Sequence, residues 1–133
     1  MTMTTQEIIK KSPHLEDYGM DWKSVYYNIH QSIQSNKYRV VRNGNTLFWI
    51  EIVSPGVAKL AIFNADPYKT FLRNGAAFSQ AMKTAGYHTI FGDSSDLNIF
   101  NFAKRQGWQV DIKPIGKDLK GSTMYRGIAN VMR

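Results

Sequence analysis

Between Asp21 and Asn36 the apolar residues Trp22, Val25, Tyr26, Ile29 and Ile33 recur at three- and four-residue intervals, with Asp21 placed to cap. The spacing predicts an amphipathic helix of about four turns, with Trp22 and Tyr26 packing into a core. From Tyr38 the pattern becomes strand-like. Tyr38 to Arg42 and Thr46 to Val53 flank Asn43-Gly44-Asn45, whose Asn-Gly pair suits a tight hairpin, and Ser54-Pro55-Gly56 turns the chain into Val57 to Asn64. These segments read as three consecutive antiparallel strands. The middle one carries Leu47, Phe48, Trp49, Ile50 and Ile52 on both faces, so it belongs inside the sheet with a layer on either side. Glu51 is the polar exception, placed either at a rim facing solvent or in a cleft with a chemical role.

The next stretch reads as strand (Leu60 to Asn64), loop ending in Arg73-Asn74-Gly75, and helix from Ala76-Ala77-Phe78 to Ala85-Gly86. Strand His88 to Phe91, the polar cap Asp93-Ser94-Ser95-Asp96 and a helix closing at Gln106-Gly107-Trp108 follow. Gln109 to Lys113, ended by Pro114-Ile115-Gly116, and Thr123 to Val131 are predicted strands separated by the basic loop Lys117 to Gly121. The order defines one α/β domain around a mixed sheet, over residues 20–133. Residues 1–19, broken by Pro13 and Gly19, read as a flexible arm with at most a helical turn around Gln6 to Lys11. A glycine just ahead of a helix would leave the N–H groups of Asn74 to Ala77 free for an anion, which suggests a phosphate-bearing ligand.

Composition narrows the chemistry. The 133 residues suit a single core, no run of eighteen apolar residues suggests a membrane span, and no leader pattern opens the chain. Without cysteine, a disulfide framework, a thiolate zinc site and a cysteine nucleophile are excluded, and a cytoplasmic setting is the expectation. The net charge of +7 is concentrated in residues 104–133, which hold seven Lys/Arg against two Asp/Glu. Such a field favours an anionic partner or serves as a solvated basic surface, but no nucleic-acid motif accompanies it. His14, His30 and His88 share no metal-ligand spacing, so no metal is expected.

The order of elements, Gly75 and Ala77 ahead of a helix, and the ending Lys104-Arg105-Gln106-Gly107-Trp108 together resemble the GNAT superfamily of acyl-CoA-dependent N-acyltransferases. The architectural match covers residues 20–131 and the motifs residues 60–108. The resemblance implies a GNAT-like, mainly antiparallel mixed sheet flanked by helices. It also implies acetyl-CoA as acyl donor, an amine on a small molecule or protein as acceptor, and a diphosphate held by Arg73, Asn74, Gly75, Ala76 and Ala77. Phe63 and Asn64 would meet the pantetheine arm where two strands part. Leu72 departs from the family's Gln/Arg at the head of the phosphate loop, and Pro67 to Leu72 lengthens the approach to it.

A second departure concerns catalysis. Where many GNAT enzymes carry the tyrosine that protonates the leaving thiolate, this chain has Ala103, and the helix-start asparagine position falls at Asp96, with Asn98 near. Tyr125 and Tyr87 are then the candidate acids, and Glu51, Asp93 or a water chain the candidate bases. The reaction needs no covalent nucleophile, because it proceeds mainly by positioning and polarisation. The alternative that these departures favour is a GNAT-like domain that has lost catalysis and binds protein partners in an assembly. Small diverged domains of tailed phages resemble it, some as virion components, and the setting would then be host cytoplasm or virion.

Overall fold

The computed structural model describes residues 2–132. Its elements are α1 (Thr5–Lys11), α2 (Trp22–Ser32), β1 (Tyr38–Asn43), β2 (Thr46–Ser54), β3 (Val57–Asn64), α3 (Tyr68–Thr84), β4 (Thr89–Ser94), α4 (Leu97–Arg105), β5 (Trp108–Lys117) and β6 (Thr123–Val131). The strands form one sheet in the order β1-β2-β3-β4-β6-β5. Every pairing is antiparallel except that of β3 with β4. The mixed, mainly antiparallel sheet expected from the sequence is therefore the one observed.

Alternation along β2 explains the two layers. Leu47 packs with Ile8, Ile9, Val25, Ile29 and Phe63 under α1 and α2, whereas Phe48 and Ile50 pack with Phe78, Met82, Ile90 and Trp108 under α3. Phe48 and Phe78 stack with centroids 4.1 Å apart. Trp22 and Tyr26 pack against the α1/α2 core, as expected. The first hairpin turns at Gly44 (φ 56°) and the second at Gly56 (φ 77°), the left-handed region that glycine enters without strain.

Three expectations are corrected. Residues 2–19, the described part of the segment 1–19 read as a flexible arm, do not lie outside the domain. Thr4 and Glu7 form a reciprocal capping box at the start of α1, and Ile8 and Ile9 are fully buried. The α1–α2 connection is tied down as well, by the Leu119 N–H donating to the Asp17 carbonyl at 2.8 Å.

The second correction concerns α3, which begins at Tyr68 rather than at Ala76. The run read as a loop carries Phe71 and Leu72 in register with Phe78 and Met82, so its apolar face continues a helix across Gly75. A glycine inside a helix costs about 1 kcal/mol relative to alanine. It is retained because a Cβ at Gly75 would lie 2.8 Å from the ring of Phe102 on α4. Third, β4 continues through Gly92, Asp93 and Ser94, and β5 continues past Pro114 with an irregularity between Pro114 and Gly116.

Candidate active site at the parting of two strands

β3 and β4 pair over only three positions, Val57 with Thr89, Ala58 with Ile90 and Lys59 with Phe91. Beyond them β3 stays with β2 as far as Asn64, while β4 stays with β6 as far as Ser94. The last close approach is at Gly92, where a Cβ would lie 2.8 Å from the Leu60 carbonyl oxygen. From there the strands diverge. The opening is a cleft of about 330 Å3 with Leu60, Ile62 and Ile90 from the sheet, Phe71 and Gly75 from α3, and Phe102 and Ala103 from α4. Ser12, His14 and Tyr18 of the α1–α2 connection close it on the other side.

The expected phosphate turn is not built at Arg73 to Ala77. These residues lie inside α3, so the N–H groups of Asn74, Gly75, Ala76 and Ala77 serve the helix's own bonds. Arg73 and Ala77 face solvent, Ala76 is half-buried, and only Gly75 of the five lines the cleft. Asn74 is a tether: its side-chain N–H group donates to Thr46 Oγ1 at 3.0 Å and Asp66 Oδ2 at 2.9 Å, and its carbonyl accepts from Asn43 Nδ2 at 3.2 Å. The free end of α3 lies instead at Tyr68. Phe71 N–H is the first to find a backbone acceptor, Pro67 O at 2.9 Å, and no side chain caps the turn before it.

At the end of β3, Phe63 points into the α1/α2 core. Asn64 lines the cleft, but its side chain is engaged by Thr46 Oγ1 at 2.7 Å and by the Asp66 backbone. Its backbone N–H donates to Ser12 Oγ at 3.2 Å. The catalytic expectations fare differently. Glu51 lies opposite Lys59, at the paired end of the fork, and does not line the cleft. Tyr125 sits opposite Ser94 on β6 and does not line it either, and Tyr87 packs against the core beneath α3. The structure thus does not bring Glu51 and Tyr125 together. Asp93, Asp96, Asn98 and Ala103 do reach the cleft.

Asp93 is engaged there by Arg126 through two hydrogen bonds of 2.8 and 3.0 Å. These bonds, with the attraction of the carboxylate, raise the Arg126 pKa above the ordinary arginine value. Asp96 caps α4 by accepting the Asn98 N–H at 2.9 Å.

The cleft residues that sequence reasoning missed are Ser12, His14 and Tyr18. Tyr18 Oη lies 3.1 Å from Ser95 Oγ and accepts the Ser95 N–H at 3.2 Å. The signal that could have found them was the Thr4-x-x-Glu7 box ahead of Ile8-Ile9, which marks a helix start and hence an ordered segment.

The two halves of the sheet part around a cleft with a helix start at its mouth, which defines an open, mixed-sheet α/β architecture. No protein-family model and no curated protein matches the sequence. Solved structures do match. Ribosomal-protein-alanine N-acetyltransferase from Brucella melitensis is similar at a TM-score of 0.62 and 8% identity, over 97% of each chain. A chimera of spermidine N-acetyltransferase SpeG from Vibrio cholerae and hSSAT is similar at 0.67 and 12% identity, over 95% of this chain and 86% of that one. A probable acetyltransferase of the GNAT family from Chromobacterium violaceum is similar at 0.64 and 11% identity, over 94% and 79%. The chain has the GNAT fold. Among the described residues no helix is long and apolar enough to cross a membrane.

Proposed function

We propose that the protein is an acyl-CoA-dependent N-acyltransferase that transfers an acetyl group to an amine of a small molecule or protein. The observation that carries this reading is the fork itself. β3 and β4 separate after three pairs, leaving strand-edge backbone on both sides of an apolar cleft. An extended pantetheine arm has the width and the amide groups to pair with such edges, much as a strand would. The first turn of α3 then takes the diphosphate in place of the expected glycine turn. Lys69 and Arg73, one turn apart on the exposed face, supply charge beside the positive end of the helix dipole. The bound thioester supplies an activated acyl carbon, and the protein's contribution is to hold that carbon at the fork and exclude water.

The test is thermal unfolding with and without acetyl-CoA. A ligand at a hundred times its Kd adds about 2.7 kcal/mol of stability, so a clear rise in Tm at millimolar acetyl-CoA is expected. Lys69→Glu together with Arg73→Glu should reduce that rise while leaving the unliganded Tm nearly unchanged.

Two observations favour a second reading, a GNAT-fold subunit that binds partners without turnover. Ala103 offers no acid at the cleft wall, and Ser12 occupies the Asn64 amide that a bound arm would use. An unchanged Tm at millimolar acetyl-CoA would decide for it.

A further inference from the structure

Two cavities meet at His14. Beside the fork cleft, a second cavity of about 440 Å3 lies within the α1–α2 connection, and Ser12 and His14 line both. His14 has φ 71°, the one positive value outside glycine among the described residues. Residues with a Cβ are disfavoured in that region and stay there when their surroundings hold them. The holding contacts are specific. The ring stacks on Tyr18 at 5.9 Å, and Tyr18 is itself fixed to Ser95 at the end of β4. His14 Nδ1 lies 3.2 Å from Asp17 Oδ2. A carboxylate only accepts, so Nδ1 carries the hydrogen and the neutral ring keeps its lone pair on Nε2. Nε2 has no hydrogen-bond partner among the described residues.

We infer that His14, oriented by Asp17, is the general base that takes the proton of the acceptor amine, and that the amine arrives through the second cavity. The inference rests on the N-acyltransferase reading. In the step, the amine nitrogen forms a bond to the thioester carbonyl carbon, the carbon–sulfur bond breaks, and Nε2 accepts the proton that the nitrogen sheds. That proton then leaves with the thiolate as thiol, so the imidazole ends neutral; an acceptor that entered as an ammonium has already given one proton to solvent water, and the products are amide, free thiol and that proton. The groups facing His14 suit a cationic acceptor. Glu16, Asp17 and Asp21 line the second cavity against Lys10 from α1. Lys120 approaches Asp17 at 3.9 Å from the β5–β6 connection, and Asp93 on the fork side is paired with Arg126.

The decisive variant is His14→Gly, because glycine adopts the backbone angle without strain and the fold should keep or raise its Tm. Acetyl-CoA should still raise the Tm of this variant. Thiol release from acetyl-CoA with 1,4-diaminobutane as acceptor should fall about a hundredfold or more, the span general-base catalysis contributes, and added imidazole should restore about tenfold or more of it. Without any acyl donor, nitrogen NMR should show the Nδ1–H tautomer at His14 in the wild type and a mixture in Asp17→Asn. Turnover within about threefold of wild type in His14→Gly, failure of imidazole to rescue, or a wild type that is protected by acetyl-CoA yet releases no thiol would each overturn the proposal. A wild type that acetyl-CoA does not protect removes the acyltransferase reading itself, and this proposal with it.

Discussion

Gly75 and Phe102 bring α3 and α4 together over the cleft, the ring filling the space where a Cβ of residue 75 would lie at 2.8 Å. Gly75→Ala therefore sets two effects against each other, a helix-propensity gain of about 1 kcal/mol and an overpacking penalty of about 1–3 kcal/mol. Urea unfolding should show net destabilisation of about 1 kcal/mol. In the Phe102→Ala background the penalty disappears, and the same substitution should stabilise by about 1 kcal/mol.

Gly92 marks the apex of the fork, and its neighbour is less forgiving. A Cβ there would meet the Leu60 carbonyl oxygen at 2.8 Å, and a backbone oxygen in a paired strand cannot swing aside. Gly92→Ala should destabilise by about 2 kcal/mol, read as a drop in the urea midpoint. An unchanged midpoint would mean that the two strands are not this close.

The first helix is expected to carry real stability. Ile9→Ala removes a fully buried side chain, which should cost about 3 kcal/mol, and Thr4→Ala should cost about 1 kcal/mol through loss of the cap. Both are measurable by chemical denaturation. A truly flexible arm would show neither.

The capping box also sets a pH dependence. The backbone N–H of Thr4, then its hydroxyl, hold the Glu7 pKa below its ordinary value of 4.5. A folded pKa lower than the unfolded one means that the contribution is complete above 4.5 and is lost as pH falls through the folded value. Amide exchange at Ile8 and Ile9 should accelerate over that acidic range, and Glu7→Ala should abolish the dependence.

Ser12 offers a test of the cofactor reading from the opposite direction. Its hydroxyl accepts the Asn64 N–H at the mouth of the cleft, so Ser12→Ala should free that donor and tighten acetyl-CoA binding about fivefold, the worth of one net hydrogen bond. Weaker binding in a titration would show instead that the hydroxyl itself touches the ligand.

The sequence conveyed those parts of the fold that local rules dictate. Asn43-Gly44-Asn45 announced its hairpin, the double-faced β2 announced two layers, and β6 runs from Thr123 to Val131 as expected. What misled was glycine at position 75. A glycine ahead of an apolar run looks the same whether it opens a helix or lets a second helix approach, and only the position of Phe102 distinguishes them. The site failed for a related reason. Its polar members come from Ser12 to Tyr18, whose order depends on contacts with Ser95 and Leu119, far along the chain. Asp93 was visible as a candidate base, but its engagement by Arg126 joins neighbouring strands and has no local signature.

Among the described residues, the three rungs between Val57–Lys59 and Thr89–Phe91 are the only ladder joining β1, β2 and β3 to β4, β6 and β5. The sheet is thus two covers bound along a short spine, with β5 at the outer edge of the second, paired with β6. The core beneath α3, in which Phe48 and Ile50 meet Ile90 and Trp108, clasps both covers, so the width open to a guest is held by side-chain packing as well as by these three rungs.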